Sequence, residues 1–157
     1  MTNVARAAGR GAAAITFAGD LLKGSVPVLA ARSIGPGTTT IALVAFAAFA
    51  GSIFSAFLGF KGGRGVSTSL GIWLAMAPVA TVIALVVFLI VLAITRIVSL
   101  GSICAAIAMP VLIVATGSPR SYVALIIVMA VLVLLRHRDN LSRLASGEEP
   151  RLGNYRS

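Results

Sequence analysis

Acidic side chains are scarce in this chain, which has four aspartate and glutamate residues against 13 lysines and arginines. Charged residues make up 11% of the 157 positions, whereas about 25% is usual in a soluble domain. With 59% hydrophobic residues and a mean hydropathy of +1.04, the composition predicts an integral membrane protein. Because aromatic residues are few (6%), the net charge of +9 indicates positive-inside topology and not nucleic-acid binding.

Residue sets for covalent or metal chemistry are also missing from the sequence. The single cysteine, Cys104, lies in an apolar segment and cannot form an intrachain disulfide. There are no paired carboxylates, no metal-ligand cluster and no recognisable Ser-His-Asp set, and the first fifteen residues lack the features of a signal peptide. An enzyme of this kind would work by positioning and electrostatics.

The hydrophobic runs predict six membrane-spanning helices, since a span needs about 20 apolar residues and shorter ones occur inside bundles. Pro78 divides residues 66–97, a stretch too long for one simple span and short for two. The six candidates are residues 11–31, 40–58, 66–77, 79–97, 100–116 and 122–135. The predicted fold is therefore all-α, a polytopic transmembrane bundle of short helices around a pocket on the cytoplasmic side.

The basic residues test this count, because cytoplasmic loops carry an excess of lysine and arginine. With six spans, both chain ends share a side with Arg6, Arg10, Lys61, Arg64, Arg96, Arg136, Arg138, Arg143, Arg151 and Arg156. The other side keeps only Arg32 and Arg120. If residues 66–97 formed one span, everything from Arg96 onward would change sides. The asymmetry therefore favours six spans and a cytoplasmic tail.

A glycine-rich loop with two cations follows the second predicted span and reads Gly59-Phe60-Lys61-Gly62-Gly63-Arg64-Gly65. Glycine tolerates positive φ and has no Cβ, so neighbouring backbone N–H groups can point into one hollow. The added positive charge predicts a phosphate cradle at the membrane surface. The loop does not fit the pattern G-x-x-x-x-G-K-[ST], so ATP is not implied. A flexible turn without a ligand is the alternative interpretation.

Three more polar clusters lie at predicted helix ends on the same side, at residues 3–6, 95–102 and 136–140. We expect all four clusters to meet around one pocket, where arginine offers a planar fork of donors to phosphate oxygens. Any single arginine at a helix end is more often a topology anchor. For His137, the only histidine, a structural and a functional role are equally open.

The basic tail predicts a short amphipathic helix that Asp139 or Asn140 caps and Gly147 ends. From Glu148 onward the sequence is polar, and we expect it to be frayed. The predicted division is therefore a membrane domain over residues 1–147 and a disordered tail over residues 148–157.

Together these strings resemble the family of small bacterial membrane acyltransferases that use acyl phosphate to acylate glycerol 3-phosphate. Thr2-Asn3-Val4-Ala5-Arg6 resembles the end of the family's first motif, and residues 19–24 resemble the segment after it. Residues 51–68 resemble the second motif, residues 136–144 the third, and residues 96–102 another characteristic stretch. The match runs in order along nearly the whole chain, and K-G-G-R-G and R-H-R-x-N are its most specific parts.

The resemblance implies acyl transfer from acyl phosphate to the hydroxyl on carbon 1 of glycerol 3-phosphate, giving lysophosphatidic acid and phosphate in phospholipid biosynthesis. It implies membrane lipids as further partners, no nucleic acid, no obligate protein partner, no cofactor and no metal. The catalytic residues that it implies are His137, Asn140 and Arg64. The substrate-binding residues that it implies are Asn3, Arg6, Lys61, Gly62, Gly63, Gly65, Arg96, Ser99 and Ser102. The expected location is the bacterial inner membrane, with the motifs and the C terminus in the cytoplasm.

The sequence departs from the family pattern in three places. Family members have seven spans, and their first helix and the opening S-G-N-x-G-A of the first motif do not precede Thr2, so we expect an N-terminally truncated domain. Ser52 stands where the family usually has histidine, and Arg64 replaces a common lysine, which keeps the charge but changes its geometry. The alternatives are a non-catalytic anion- or lipid-binding membrane protein, a transporter, or an inactive truncated homologue.

Overall fold

A computed structural model of the chain describes residues 2–54 and 62–153, with side chains from Gly9 onward except that of Arg10. Over these residues the chain is entirely helical outside its turns. The helices are α1 (Thr2–Ile34), α2 (Thr38–Ile53), α3 (Val66–Met76), α4 (Pro78–Thr95), α5 (Val98–Ala115), α6 (Arg120–Arg136) and α7 (Arg138–Ala145). They form two compact units, residues 1–76 with α1 to α3 and residues 77–157 with α4 to α7.

Six apolar helices lie where the hydrophobic runs predict them, and Pro78 occupies the start of α4, as predicted. By length and composition, residues 11–34 of α1, α4 and α5 are each sufficient to cross a membrane. A fourth crossing is possible if α6 and α7 are taken together across their 57° bend. The shorter α2 and α3 rise about 24 and 17 Å at ~1.5 Å per residue, less than the ~30 Å of a hydrocarbon core. The all-α polytopic membrane fold is confirmed, and six complete crossings stay a prediction.

In the first unit, α1 packs closely against α3, and α2 contacts both helices. Glycine makes this possible: a Cβ at Gly24 would overlap the Thr68 carbonyl, and a Cβ at Gly71 would overlap the backbone of α1. Small residues let membrane helices approach in this way. Lipid is as apolar as the side chains themselves, so helix association in a membrane depends on close packing and not on the hydrophobic effect. The Arg32 guanidinium donates to the Ala75 carbonyl, so the C-terminal ends of α1 and α3 lie together.

In the second unit, α5 packs against both α4 and α6. A Cβ at Gly101 of α5 would lie 2.9 Å from the Phe88 ring of α4, so glycine is needed for this close approach. Between the two helices, Arg96 adopts the left-handed conformation (φ 59°), which ends α4 and lets α5 begin two residues later. Large side chains such as Val86 and Leu89 are exposed on α4, as is usual for a helix surface that faces lipid.

The start of α7 differs from the prediction. His137 is the N-cap residue, and no side chain caps this helix. Asp139 and Asn140 lie within the first turn, so their predicted capping role is wrong. Gly147 follows the helix with a φ of +76°, which is consistent with its predicted role in ending it.

The segment after α7, which the sequence predicts to be frayed, makes specific contacts as far as Leu152, and the division into a membrane domain and a disordered tail stays a prediction. The backbone N–H of Leu152 donates to the Arg96 carbonyl at 2.7 Å. The side chain of Glu149 is 7% exposed and has three side-chain partners. The chain therefore returns to the turn between α4 and α5, where these contacts hold it.

Candidate functional site

The described part of the glycine-rich loop, residues 62–65, lies directly against the end of α2. A Cβ at Gly62 would come within 2.7 Å of the Ile53 carbonyl oxygen. Gly65 has a φ of +77°, and a Cβ there would lie 2.5 Å from the Phe49 ring. Packing against α2 therefore requires both glycines, independently of any ligand.

Gly63 differs from these two neighbours, because no atom of the described residues would lie within 4 Å of a Cβ at this position. It is exposed, and the half-buried Arg64 follows it shortly before α3 begins. Packing against the described residues does not require glycine at position 63, and close approach of a ligand to the backbone is one use of a glycine there. Within the described loop, Gly63 is thus the glycine that best fits the predicted phosphate cradle.

Ser99 and Ser102 are buried in the first turn and a half of α5. Ser102 Oγ donates to the Val98 carbonyl at 2.9 Å, and Ser99 Oγ donates to Glu149 Oε1 at 2.6 Å. A hydroxyl has a single hydrogen, so each serine donates its hydrogen within the protein and keeps only acceptor capacity. Their predicted part in substrate binding stays a prediction, and in this arrangement neither hydroxyl donates to a phosphate.

His137 lies at the joint between α6 and α7 and is 1% exposed. Its Nδ1 is 2.8 Å from the Val133 carbonyl oxygen. A carbonyl can only accept, so Nδ1 carries the hydrogen, and in a neutral ring Nε2 is then an acceptor. The Val133 contact therefore fixes both the orientation of the ring and its tautomer.

Asn140, on the first turn of α7, is 2% exposed. Its Nδ2 donates to Glu149 Oε1 at 2.5 Å. Its Oδ1 is buried and has no hydrogen-bond partner among the described residues. A buried acceptor without a donor costs about 1–3 kcal/mol, so a native site that keeps one calls for an explanation.

Glu149 joins these groups. Oε1 accepts from Ser99 and Asn140, and Oε2 accepts from Arg143 Nε at 2.7 Å. Burial alone would raise the pKa of Glu149, but the three hydrogen bonds and the charge of Arg143 outweigh it and lower the pKa below its ordinary value. The carboxylate is therefore held ionised at neutral pH. We call Glu149 with Ser99, Asn140 and Arg143 the Glu149 cluster.

Glu149 was not predicted from the sequence, and Arg143 was predicted only as one of the cytoplasmic cations. One signal was present: Glu148 and Glu149 are two of only four acidic residues, and they stand together within a basic tail. In an apolar chain, so rare a charge is expected to have a specific partner.

The structure brings together two of the four predicted clusters, because Ser99 and Asn140 meet at Glu149. The Arg96 carbonyl binds the same tail segment, while the Arg96 side chain is exposed. Residues 62–65 belong to the first unit. The side chains of Asn3 and Arg6, and the whole of Lys61, lie outside the described residues, so convergence of all four clusters stays a prediction.

Known protein sequences match nearly the whole chain. A family model described as Glycerol-3-phosphate acyltransferase matches residues 1–147. The glycerol-3-phosphate acyltransferase of Geobacter sulfurreducens is 46% identical over 150 residues, which cover 96% of this chain and 77% of the relative. That of Thioalkalivibrio sulfidiphilus is 48% identical over 153 residues, which cover 98% of this chain and 75% of the relative.

Two solved crystal structures are also similar. They are the glycerol 3-phosphate form and the lysophosphatidic acid form of PlsY, an integral membrane glycerol 3-phosphate acyltransferase. The first superposes with a TM-score of 0.92 at 37% identity and covers 97% of this chain and 76% of that one. The second has a TM-score of 0.90 at the same identity. This chain thus spans about three quarters of the length of the relatives that it matches.

Proposed function

The chain belongs to the glycerol-3-phosphate acyltransferase family, and from this premise we propose that it transfers an acyl group from acyl phosphate to the hydroxyl on carbon 1 of glycerol 3-phosphate. An ester bond forms between the hydroxyl oxygen and the acyl carbon, and the bond from that carbon to the phosphate oxygen breaks. The hydroxyl proton leaves with the phosphate, so the reaction balances without a cofactor. The products are lysophosphatidic acid and inorganic phosphate.

The observation that carries this proposal is the unpartnered Oδ1 of Asn140, a buried acceptor in an otherwise apolar chain. A substrate hydroxyl is a donor that satisfies such an atom. Acyl phosphate is already activated, so no nucleophile of the protein is needed, and orientation of the hydroxyl is the main task. The glycerol 3-phosphate and lysophosphatidic acid forms of the solved relative support the choice of acceptor and product.

In this proposal, the cationic and glycine-rich segments bind the phosphate groups of the two substrates. Arg6, Lys61, Arg64 and the loop backbone bind them, and Arg96 supports them. Arginine and exposed backbone N–H groups are the usual protein ligands of phosphate. His137 acts beside Asn140 in orienting the hydroxyl or the leaving phosphate. By the positive-inside rule, the protein spans a bacterial inner membrane with these motifs on the cytoplasmic side.

The test is a phosphate-release assay on the purified protein in detergent. With palmitoyl phosphate as donor, we expect phosphate and lysophosphatidic acid in equal amounts, and only when glycerol 3-phosphate is present. Palmitoyl-CoA in place of palmitoyl phosphate should give no product. Phosphate release that is independent of glycerol 3-phosphate, or no turnover at all, would contradict the proposal.

The Arg64→Ala variant serves as the matched test of the site. Loss of a bidentate phosphate contact should raise the KM for a phosphorylated substrate by about 10- to 100-fold. The thermal transition in detergent is measured alongside, to separate this effect from any loss of stability. A variant with the kinetics of the wild type would remove Arg64 from the site.

A further inference from the structure

We propose that Glu149 fixes the orientation of the Asn140 amide, so that Asn140 turns Oδ1 toward the reacting hydroxyl of glycerol 3-phosphate and Nδ2 toward the protein. Glu149 is thus a positioning residue, and Asn140 is an acceptor for a hydroxyl and not a donor to phosphate. This inference rests on the proposed function and names the atom that recognises its acyl acceptor.

The two ends of an asparagine amide have nearly the same shape but opposite hydrogen-bonding character. Nδ2 of Asn140 lies 2.5 Å from Glu149 Oε1. If the amide were turned over, Oδ1 would face an ionised carboxylate oxygen at that separation, and two acceptors would repel each other. Glu149 therefore admits only one of the two orientations.

Glu149 can impose this orientation because it is itself fixed. Ser99 of α5 and Arg143 of α7 donate to its two oxygens at 2.6 and 2.7 Å. Leu152, three residues further along, is tied to the Arg96 carbonyl by its backbone N–H. The carboxylate is thus held from two helices and from its own segment, and its side chain is 7% exposed.

The orientation leaves Oδ1 as the end of the amide that a ligand meets. It is buried, and no described residue donates to it. An ionised phosphate has only acceptors and would repel this oxygen, whereas a hydroxyl can donate to it. After acyl transfer, the same substrate oxygen belongs to an ester and carries no hydrogen, so the contact exists with the acyl acceptor and is lost in the product.

Two substitutions reverse the hydrogen-bonding pattern. In Glu149→Gln, the oxygen of the new amide is needed by Arg143, so the nitrogen of that amide faces Asn140 and the Asn140 amide turns over. In Asn140→Asp, two carboxylates face each other.

The double variant Asn140→Asp/Glu149→Gln exchanges the two functional groups. The amide nitrogen introduced by Glu149→Gln donates to the carboxylate introduced by Asn140→Asp, and the amide oxygen accepts from Arg143. The second oxygen of the new carboxylate again faces the substrate hydroxyl as an acceptor. Only the double variant restores the contact between positions 140 and 149, the contact with Arg143 and the acceptor together. The Ser99 hydroxyl, which donates to Glu149 Oε1 in the wild type, accepts there from the second hydrogen of the amide nitrogen.

We expect each single variant to lose about 100-fold in kcat, the scale of a misplaced reacting group, and the double variant to return to within about tenfold of the wild type. Glu148→Gln, a change of the exposed neighbouring carboxylate, is the matched control and should keep wild-type kinetics. Thermal unfolding in detergent is measured on all four variants, because a purely structural role of Glu149 would lower stability without recovery of kcat in the double variant.

A measurement on the wild type does not depend on whether any variant folds. Two inhibitors are compared, in which the hydroxyl on carbon 1 of glycerol 3-phosphate is replaced by fluorine or by hydrogen. The fluorine compound should bind more weakly than the hydrogen compound, because fluorine faces Oδ1.

Equal or tighter binding of the fluorine compound would overturn the inference, as would a folded but inactive double variant. A wild-type protein without turnover would instead contradict the proposed function itself, which keeps the two failures distinct.

Discussion

The glycine-rich loop and the Glu149 cluster are both polar regions of an apolar chain, but they are built in opposite ways. The loop consists of consecutive residues, and its conformation depends on backbone packed against α2. The Glu149 cluster consists of side chains that are up to 50 residues apart in sequence, gathered around one carboxylate. Arg64 in the loop is half exposed to solvent, and Arg143 in the cluster forms an ion pair with the Glu149 carboxylate.

This difference indicates a division of tasks within the proposed function. In the Glu149 cluster, the guanidinium Nε of Arg143 and the hydrogen of Ser99 are already used by Glu149. The ionised carboxylate also repels an anion, so this region suits a hydroxyl, for which Asn140 Oδ1 is an acceptor, better than a phosphate. In the proposed function, the loop and the other arginines therefore bind phosphate, and Asn140 orients the hydroxyl.

The largest expected effect is a loss of stability that one of two adjacent glycine variants of the loop shows and the other does not. Gly62→Ala places a methyl group against the Ile53 carbonyl, and backbone cannot yield as a side chain can. We expect a loss of about 1–3 kcal/mol in stability, measured as a lower thermal transition in detergent and a reduced yield of folded protein.

Gly63→Ala is the matched control, since its methyl group meets no atom of the part of the chain that the structure describes. It should keep the thermal transition of the wild type and raise the KM for a phosphorylated substrate. A stable Gly62→Ala protein would mean that the loop is not seated on α2. An unchanged KM in Gly63→Ala would mean that no ligand approaches the backbone there.

The loop also illustrates what the sequence could and could not predict. Its glycines were interpreted as a phosphate cradle, which needs only local information. Two of them, Gly62 and Gly65, prove to be required by α2, and no local pattern reveals that contact. The six apolar helices and the break at Pro78 were predictable, because hydropathy and proline act within a few residues. The contact of the loop with α2 is a tertiary contact, so no pattern within a few residues predicts it.

The tail is the clearest case of a missed contact. Residues 148–152 are mostly polar, with Leu152 as their one large apolar side chain, so composition alone predicts fraying. They are held by hydrogen bonds to Ser99 and Asn140, which lie 50 and 9 residues earlier. The positions of those two residues near the site were predicted by resemblance, but the carboxylate between them was not.

A second, intermediate effect is a difference in stability between variants of two arginines on the same short helix, α7. Arg143→Ala leaves the buried Glu149 carboxylate without its cation, and we expect a loss of about 1–2 kcal/mol, since the Arg143 side chain is 38% exposed and partly screened. Arg138→Ala is the control: its ion pair with Asp139 is 3.5 Å long and exposed on both sides, so stability should not change measurably. Thermal unfolding in detergent compares them.

The kinetics of Arg143→Ala also test which of the two regions binds the phosphate. If Arg143 is neutralised by Glu149, its loss should raise the KM for glycerol 3-phosphate much less than Arg64→Ala does. A larger rise in KM for Arg143→Ala than for Arg64→Ala would mean that the Glu149 cluster, and not the loop, binds the phosphate.

The smallest expected effect is a pH dependence that belongs to the Glu149 cluster alone. Hydrogen bonds and the Arg143 charge hold the folded-state pKa of Glu149 below the unfolded value of about 4.3, despite burial. Its contribution to stability is therefore complete above that value and is lost as the pH falls through the folded-state pKa.

The thermal transition of the wild type should fall on acidification below about pH 4.3. Glu149→Gln should lack this part of the fall, and Glu148→Gln, altered at an exposed carboxyl, should keep it. If the thermal transitions of the wild type and Glu149→Gln depended on pH identically, the carboxylate would not be held by its three donors. The cluster would then not be a set of side chains organised by a charge, and its contrast with the loop would be lost.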